Sequence, residues 1–326
     1  MRATLTAVLI LALVTIDAAG QGTSGRLVVL NKEDATLVTV DPSSGKVLGR
    51  VATGEGPHEV VVSDDGRTAF VANYGTGQSP GGTISVIDLT AHKEVRKFDL
   101  GPLRRPHGLA MSDGKVYFTA EANRLVARYD PSTNAVDWLM GTGQTGTHMV
   151  LVNQDGGKVY TANIGSNTMT ILERGQNPMA WSATLVPVGR GPEGFDLSPD
   201  GRELWAAHSQ DGGVSVVDLG SKTVTATIDL KTKRSNRLKF TPDGKLVLIT
   251  DLDAGQLVVV DAASRKETKR LALGRMPEGI LIPPDGGRAF VAVAGEGHVA
   301  VVDLKTFEVA RRIETGKGPD GMAWAR

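Results

Sequence analysis

Residues 56–75 read GPHEVVVSDDGRTAFVANYG, and the phrase returns, altered, along the rest of the chain. RPHGLAMSDGKVYFTAEAN starts at Arg105, GTHMVLVNQDGGKVYTANIG at Gly146, and GPEGFDLSPDGRELWAAHSQ at Gly191. SNRLKFTPDGKLVLITDLD starts at Ser235, MPEGILIPPDGGRAFVAVAG at Met276, and a truncated GPDGMAWAR at Gly318. Aligned on Pro57, the equivalent positions are Pro106, Thr147, Pro192, Asn236, Pro277 and Pro319, spaced by 49, 41, 45, 44, 41 and 42 residues. A period of that length is the signature of the four-stranded blades of a propeller.

Each unit divides into four strands. GPHEVVVS is a first strand, and SDDG, SPDG or TPDG supplies a tight turn containing Gly. TAFVAN is a second strand, with a large residue three places before its end: Phe70, Phe118, Tyr160, Trp205, Leu248 or Phe290. TISVIDL, LVARYD, TMTILE, VSVVDL, LVVVDA and VAVVDL are third strands, closed by Asp88, Asp130, Glu173, Asp218, Asp261 and Asp303. Short acidic side chains at that point suit a turn. A more polar fourth strand, such as KEVRKFDL, completes the unit.

The two ends of the sequence complement each other. Residues 26–55 supply strands two, three and four without a first strand, and residues 318–326 supply a first strand alone. The expectation is an all-β, seven-bladed β-propeller of four-stranded antiparallel blades, closed by a composite blade of 25–55 plus 318–326. The other blades span 56–104, 105–145, 146–190, 191–234, 235–275 and 276–317, within a single domain of residues 21–326.

Arg2, the apolar run from Ala3 to Ile16 and the small residues Ala18-Ala19-Gly20 read as a secretory signal peptide over residues 1–20. The mature chain is therefore expected to be periplasmic or secreted, without a membrane span. The absence of cysteine excludes disulfides, thiolate metal sites, cysteine nucleophiles and lipid attachment through a lipobox. Lys plus Arg and Asp plus Glu both total 36, so no nucleic-acid partner is expected, since binders of that kind carry a basic surplus. A monomer is expected.

FVANYG at 70–75, YTANIG at 160–165 and the phrases GPHE, RPHG and GPEG resemble the YVTN-repeat family of seven-bladed propellers, of the YncE-like exported bacterial kind. The resemblance covers essentially the whole mature chain. More distantly, the sequence is similar to seven-bladed lactonases and streptogramin-type lyases. The resemblance implies the fold and leaves the function among binding, accessory and enzymatic roles.

Two positions per blade are expected at one mouth of the central channel. The residue after the Pro position gives His58, His107, His148, Glu193, Arg237, Glu278 and Asp320. The end of the second strand gives Asn31, Asn73, Glu121, Asn163, His208, Asp251 and Val293. Four of the six histidines fall in these fourteen positions, while His92 and His298 are expected at the surface.

The first choice of function is a binding or accessory protein that takes a small molecule or a protein partner at this mouth, with Asn73, Glu121, Asn163, Asp251 and Asp320 as ligand groups. The alternative is a hydrolase or lyase acting on a small lactone or carboxylate. There His148 or His208 is the base, Glu193 or Glu278 the proton donor, and Arg237 the group that holds a substrate carboxylate. His58, His107 and His148 on consecutive blades are candidate ligands for a divalent metal, if they lean inward to the axis. A salt bridge from Arg237 to a neighbouring carboxylate is the plainer reading of that residue. Met179 and Trp181, in the enlarged turn of 173–190, are candidate contacts for a pure assembly module.

Overall fold

The computed structural model describes residues 25–177 and 179–326, so the signal-peptide reading of residues 1–20 lies outside the described residues. The chain forms seven separate four-stranded antiparallel sheets. In the closing blade, Pro319–Ala325 is innermost, followed outward by Arg26–Asn31, Thr36–Val40 and Val47–Ala52. The remaining blades, numbered 1 to 6 in chain order, have innermost strands Pro57–Val62, Pro106–Ser112, Thr147–Val152, Pro192–Leu197, Ser235–Phe240 and Pro277–Leu281. Among the described residues the only helical elements are the short 3-10 turns Glu121–Asn123 and Ala294–Glu296, and no helix is long and apolar enough to cross a membrane.

Burial follows position within the blade. The second and third strands are covered on both faces by neighbouring sheets, so they read as continuous apolar runs such as LWAAH and GVSVV. The outermost strands are largely exposed, and two of them, Ala135–Gly141 and Thr223–Asp229, alternate strictly between exposed and half-covered residues. The core therefore lies between blades. Phe70 and Ile84 of blade 1 meet Leu109, Phe118 and Tyr129 of blade 2, and Trp205 of blade 4 packs on Phe240, Val247 and Ile249 of blade 5. The closing blade is sandwiched likewise: Val28 and Leu37 pack against Val60 and Val71, and Leu27 and Val29 against Phe290 and Val299.

Turn chemistry agrees with the sequence. Asp88 accepts from the amides of Thr90 and Ala91, and Asp303 from those of Lys305 and Thr306. Those amides hold both carboxyls below the ordinary carboxylate range. His298 departs from expectation: it is 3% exposed, because its strand is the third of blade 6 and is covered by the closing blade.

Candidate functional site

Strand pairing decides which residues reach the mouth. Pro57 pairs with Asn73, Pro192 with His208 and Pro277 with Val293. In blade 5 the partner of Asp251 is Ser235, so Ser235 stands where the other blades have Pro. The mouth ring is thus His58, His107, His148, Glu193, Asn236, Glu278 and Asp320. Arg237 lies one level deeper, beside Glu59, where blades 2, 4, 6 and the closing blade have Gly108, Gly194, Gly279 and Gly321.

That glycine level reflects close approach of innermost strands. A Cβ on Gly194 would lie 2.5 Å from the Cα of Arg237, and one on Gly321 would lie 2.2 Å from the carbonyl oxygen of His58. Where a large residue replaces Gly, it must turn along the channel. Glu59 and Arg237 do so and meet across it, with Oε1 accepting from Nη2 at 2.7 Å.

A second correction concerns the end of the second strand. Asn73, Asn163, His208 and Asp251 are buried inside their own blades and do not line the mouth. Asn73 accepts from the amide of Gly54 and donates to Thr83 and Ser85, and Asn163 donates to Thr168 and Thr170. Asp251 accepts from the amides of Lys233 and Arg234. His208 is 0% exposed and spends both ring nitrogens, on Asp211 at 2.8 Å and Ser215 at 2.9 Å, so it cannot serve as a base for a bound substrate. These residues fasten second strands to third strands and to the loops between blades.

The channel-facing column is one residue further on. The amides of Lys32, Tyr74 and Glu121 donate to the carbonyls of Gly318, Gly56 and Arg105, the residues just before the Pro position. Glu121 belongs to this column, because Pro106 pairs with Ala120. Lys32, Tyr74, Glu59 and Asn236 are functional candidates that reading by repeat phrase misses. Their signal is positional: each interrupts a column occupied elsewhere by small, apolar or charged letters.

The mouth has two halves. On one, the imidazoles of His58, His107 and His148 lie ring against ring, with centroids 4.6 Å and 3.7 Å apart and the Tyr74 ring edge-on to the first two. Asp320 flanks the row at 3.1 Å from His58 Nδ1, and Glu121 flanks its other end at 3.6 Å from His148 Nδ1. This tilted row does not converge on a point, and among the described residues no group of three or more His, Asp or Glu could hold a metal ion. The expected three-histidine metal site is not formed in this arrangement: adjacent innermost strands lay the rings over one another, tilted by 39° and 30°, instead of aiming their nitrogens at one point.

On the other half, Lys32 Nζ sits 2.5 Å from Glu278 Oε2 and 3.3 Å from Asp320 Oδ2. Arg237 holds Glu59 and lies 3.7 Å from Glu193 and 3.8 Å from Asp320, while Asn236 donates to Glu193. Arg237 is thereby saturated and buried. It is a strut of the ring and not a free clamp for a substrate carboxylate, which is the plainer of its two readings.

Burial sets the protonation states. Desolvation, with Asp320 adding repulsion, pushes the Glu278 carboxyl up to about 8 against the pull of Lys32. Burial acts to raise Asp320 as well, but Lys32, His58 and Arg237 together hold it well below its ordinary value. Burial and its two imidazole neighbours push His107 well below the usual histidine range. Burial and Glu121 lift the Tyr74 phenol to about 12. The mouth thus places a protonated carboxylic acid, an ionised carboxylate and a neutral imidazole around one opening at neutral pH.

The sequence matches the family model described as YNCE-like beta-propeller over residues 3–188. Among curated proteins, none matches. Similar solved structures include the periplasmic gluconolactonase of Pseudomonas aeruginosa, at 20% identity and TM-score 0.75, covering 93% of this chain and 99% of that one. The Kuenenia stuttgartiensis hydrazine synthase is similar at 17% identity and TM-score 0.75, covering 85% of this chain and 92% of that one. A protein of unknown function from Desulfotomaculum acetoxidans is 11% identical, with TM-score 0.77, covering 93% of this chain and 99% of that one. At these identities the likeness shows the fold alone.

Proposed function

The chain belongs to the YNCE-like β-propeller family, and from that premise we propose that it is an exported binding protein whose mouth takes a small molecule rich in hydroxyl or ammonium groups. One observation carries the reading. Nδ1 of His107 and Oε2 of Glu193 are buried without a hydrogen-bond partner, while Nδ1 of His58 and His148, Oε2 of Glu121 and Oδ1 of Asp320 have only ionic contacts of 3.1 to 3.8 Å within the ring, and all six belong to this one mouth. Each such atom costs about 1–3 kcal/mol if nothing meets it. A ring that gathers them is built to receive partners from outside the chain. Its carboxylates (Glu59, Glu121, Glu193, Asp320) outnumber its cations, Lys32, Arg105 and Arg237, which favours a ligand that donates hydrogen bonds.

The test is calorimetric titration of the full chain with sugars, sugar lactones and small polyamines, beside Glu193→Gln and His107→Ala. Binding by the parent that weakens about tenfold or more in either variant, equivalent to about 1.4 kcal/mol, supports the reading. No binding by any of these classes, or equal binding by parent and variants, ends it.

A second reading rests on a different feature: Lys32 sits between Glu278, whose burial beside Asp320 favours its protonated form, and Asp320, which its cationic neighbours keep ionised. In such a pair Asp320 orients His58, whose imidazole takes the proton from water as it attacks the carbonyl, and Glu278 protonates the leaving oxygen of a lactone. The gluconolactonase neighbour makes sugar lactones the first substrates to try. Acid release by the parent that falls about 100-fold in Glu278→Gln would favour this enzymatic role. Release at the uncatalysed rate would leave binding alone.

A further inference from the structure

Below the mouth ring the axial channel opens into a chamber of about 190 Å³. Innermost strands of all seven blades build it. The third residue beyond the Pro position is apolar in every blade, with Val60, Leu109, Phe195, Leu238, Ile280 and Met322 among them. Gly194, Gly279 and Gly321 leave the upper wall without side chains, and Met149 and Met322 supply a deformable lining. The Glu59–Arg237 bridge spans the mouth side of this chamber, as the roof between it and the polar ring. At the far end stands Lys239, 3.5 Å from Asp196, with its side chain 37% exposed, so this end reaches solvent.

We propose that this chamber is a second binding site, distinct from the mouth, for a small neutral aromatic or short aliphatic molecule that enters from the face opposite the mouth. Volume and lining carry the argument. An apolar cavity of about 150 Å³ lined by Leu, Ile and Phe stays dry and takes up benzene or xenon, because water there would forfeit its hydrogen bonds. This chamber is of comparable size, its wall is more apolar than polar, and its charged groups are paired, Glu59 with Arg237 and Lys239 with Asp196 beside it. The roof directs entry: a molecule coming from the mouth would have to break an ion pair held at 2.7 Å, whereas at the far end the partly exposed Lys239 makes a longer contact of 3.5 Å to Asp196.

The probes are benzene and xenon, applied to the full chain. Saturable benzene binding by ligand-observed NMR is expected, with xenon on the propeller axis in pressurised crystals. Val60→Phe fills the chamber and should weaken benzene binding at least tenfold, while Glu193→Gln at the mouth should leave it unchanged. Met149→Ala enlarges the chamber and should shift preference from benzene toward naphthalene, which keeps the test decisive if Val60→Phe does not fold. Absence of saturable binding by the parent would overturn the proposal. So would binding indifferent to Val60→Phe, a size preference indifferent to Met149→Ala, or benzene binding abolished by Glu193→Gln.

Discussion

Replacing Glu278 by Gln should make the protein more stable than its parent at high pH and leave it nearly unchanged at low pH. The folded protein holds the Glu278 proton up to about pH 8, against an ordinary value of 4.5, because the carboxyl is buried beside Asp320. The unfolded chain releases the same proton near its ordinary value. Between the two, folding takes up a proton, so this group makes stability fall as pH rises. The gap corresponds to about 5 kcal/mol at full development. At pH 5 the parent carries a neutral carboxyl, nearly isosteric with the amide, and the two proteins should agree within about 1 kcal/mol. At pH 9 the parent bears an ionised, buried Glu278 and the variant does not. Asp320 does not blur the comparison: its carboxyl is held below its ordinary value, so the stability it contributes is present above that value and lost only as pH falls through the lower, folded one. The assay is urea unfolding of both proteins at unit intervals from pH 5 to pH 9. A stability difference that stays constant across that range would refute the reasoning, and with it Glu278 as a proton donor at neutral pH.

The Glu59–Arg237 bridge should be structural in its own right. Arg237→Met leaves buried carboxylates unpaired and should cost about 3–5 kcal/mol in urea unfolding at pH 7, with part recovered in the Glu59→Gln/Arg237→Met double variant; strictly additive costs would mean that the bridge carries nothing. Gly321→Ala should cost about 1–3 kcal/mol or more, since its Cβ would meet backbone at 2.2 Å, whereas Gly77→Ala, with open space around it, should stay within about 0.5 kcal/mol; equal thermal midpoints for the two would contradict close strand approach. In a spectrophotometric titration the Tyr74 phenol should ionise only near pH 12, so Tyr74→Phe should remove one phenol's amplitude from the late rise to which buried Tyr160 also contributes, and Glu121→Gln should move that amplitude downward; a late rise of undiminished amplitude in Tyr74→Phe would place the perturbed phenol elsewhere.

The fold was legible because a repeat states its own boundaries. Seven copies of a turn-and-strand phrase, with both ends incomplete, leave one way of closing the ring. The site was legible only to within one residue, and in a strand one residue is the difference between facing the channel and facing the sheet. The phrase SNRL shows how this arises. Its Arg occupies the slot of Glu59, but aligning on Asn236 as the Pro equivalent drew Arg237 into the mouth ring, because Ser235 has no look of a proline. At the end of the second strand Asn73 and His208 were conspicuous by type, yet their polarity serves loops and third strands within the blade. Lys32 and Tyr74, one position later, were unremarkable as letters, and became mouth residues only when strand pairing fixed which column turns inward. The metal reading turns on geometry of the same kind: sequence puts three imidazoles on adjacent blades but says nothing of the angle between their rings.

The chemistry of the mouth is tied to closure of the ring itself. Lys32 directly follows the first described strand, Arg26–Asn31, and Asp320 lies in the last, Pro319–Ala325, and the two segments meet only when the closing blade pairs Arg26 with Ala325 and Asn31 with Pro319. Glu278 and Arg237 come from blades 6 and 5, and His58 and Glu59 from blade 1, on either side of that blade. Any opening between the terminal strands would separate Lys32 from Asp320 and free two buried charges at once, a cost of several kcal/mol added to the apolar surface exposed. The same charges that depress Asp320 and hold Lys32 therefore act as an electrostatic clasp on a joint made otherwise by backbone pairing and side-chain packing. It follows that substitutions at Lys32 or Asp320 should alter the mouth and loosen the joint together, whereas those at His107 or Glu193, each carried by an unbroken blade, should reach the mouth alone.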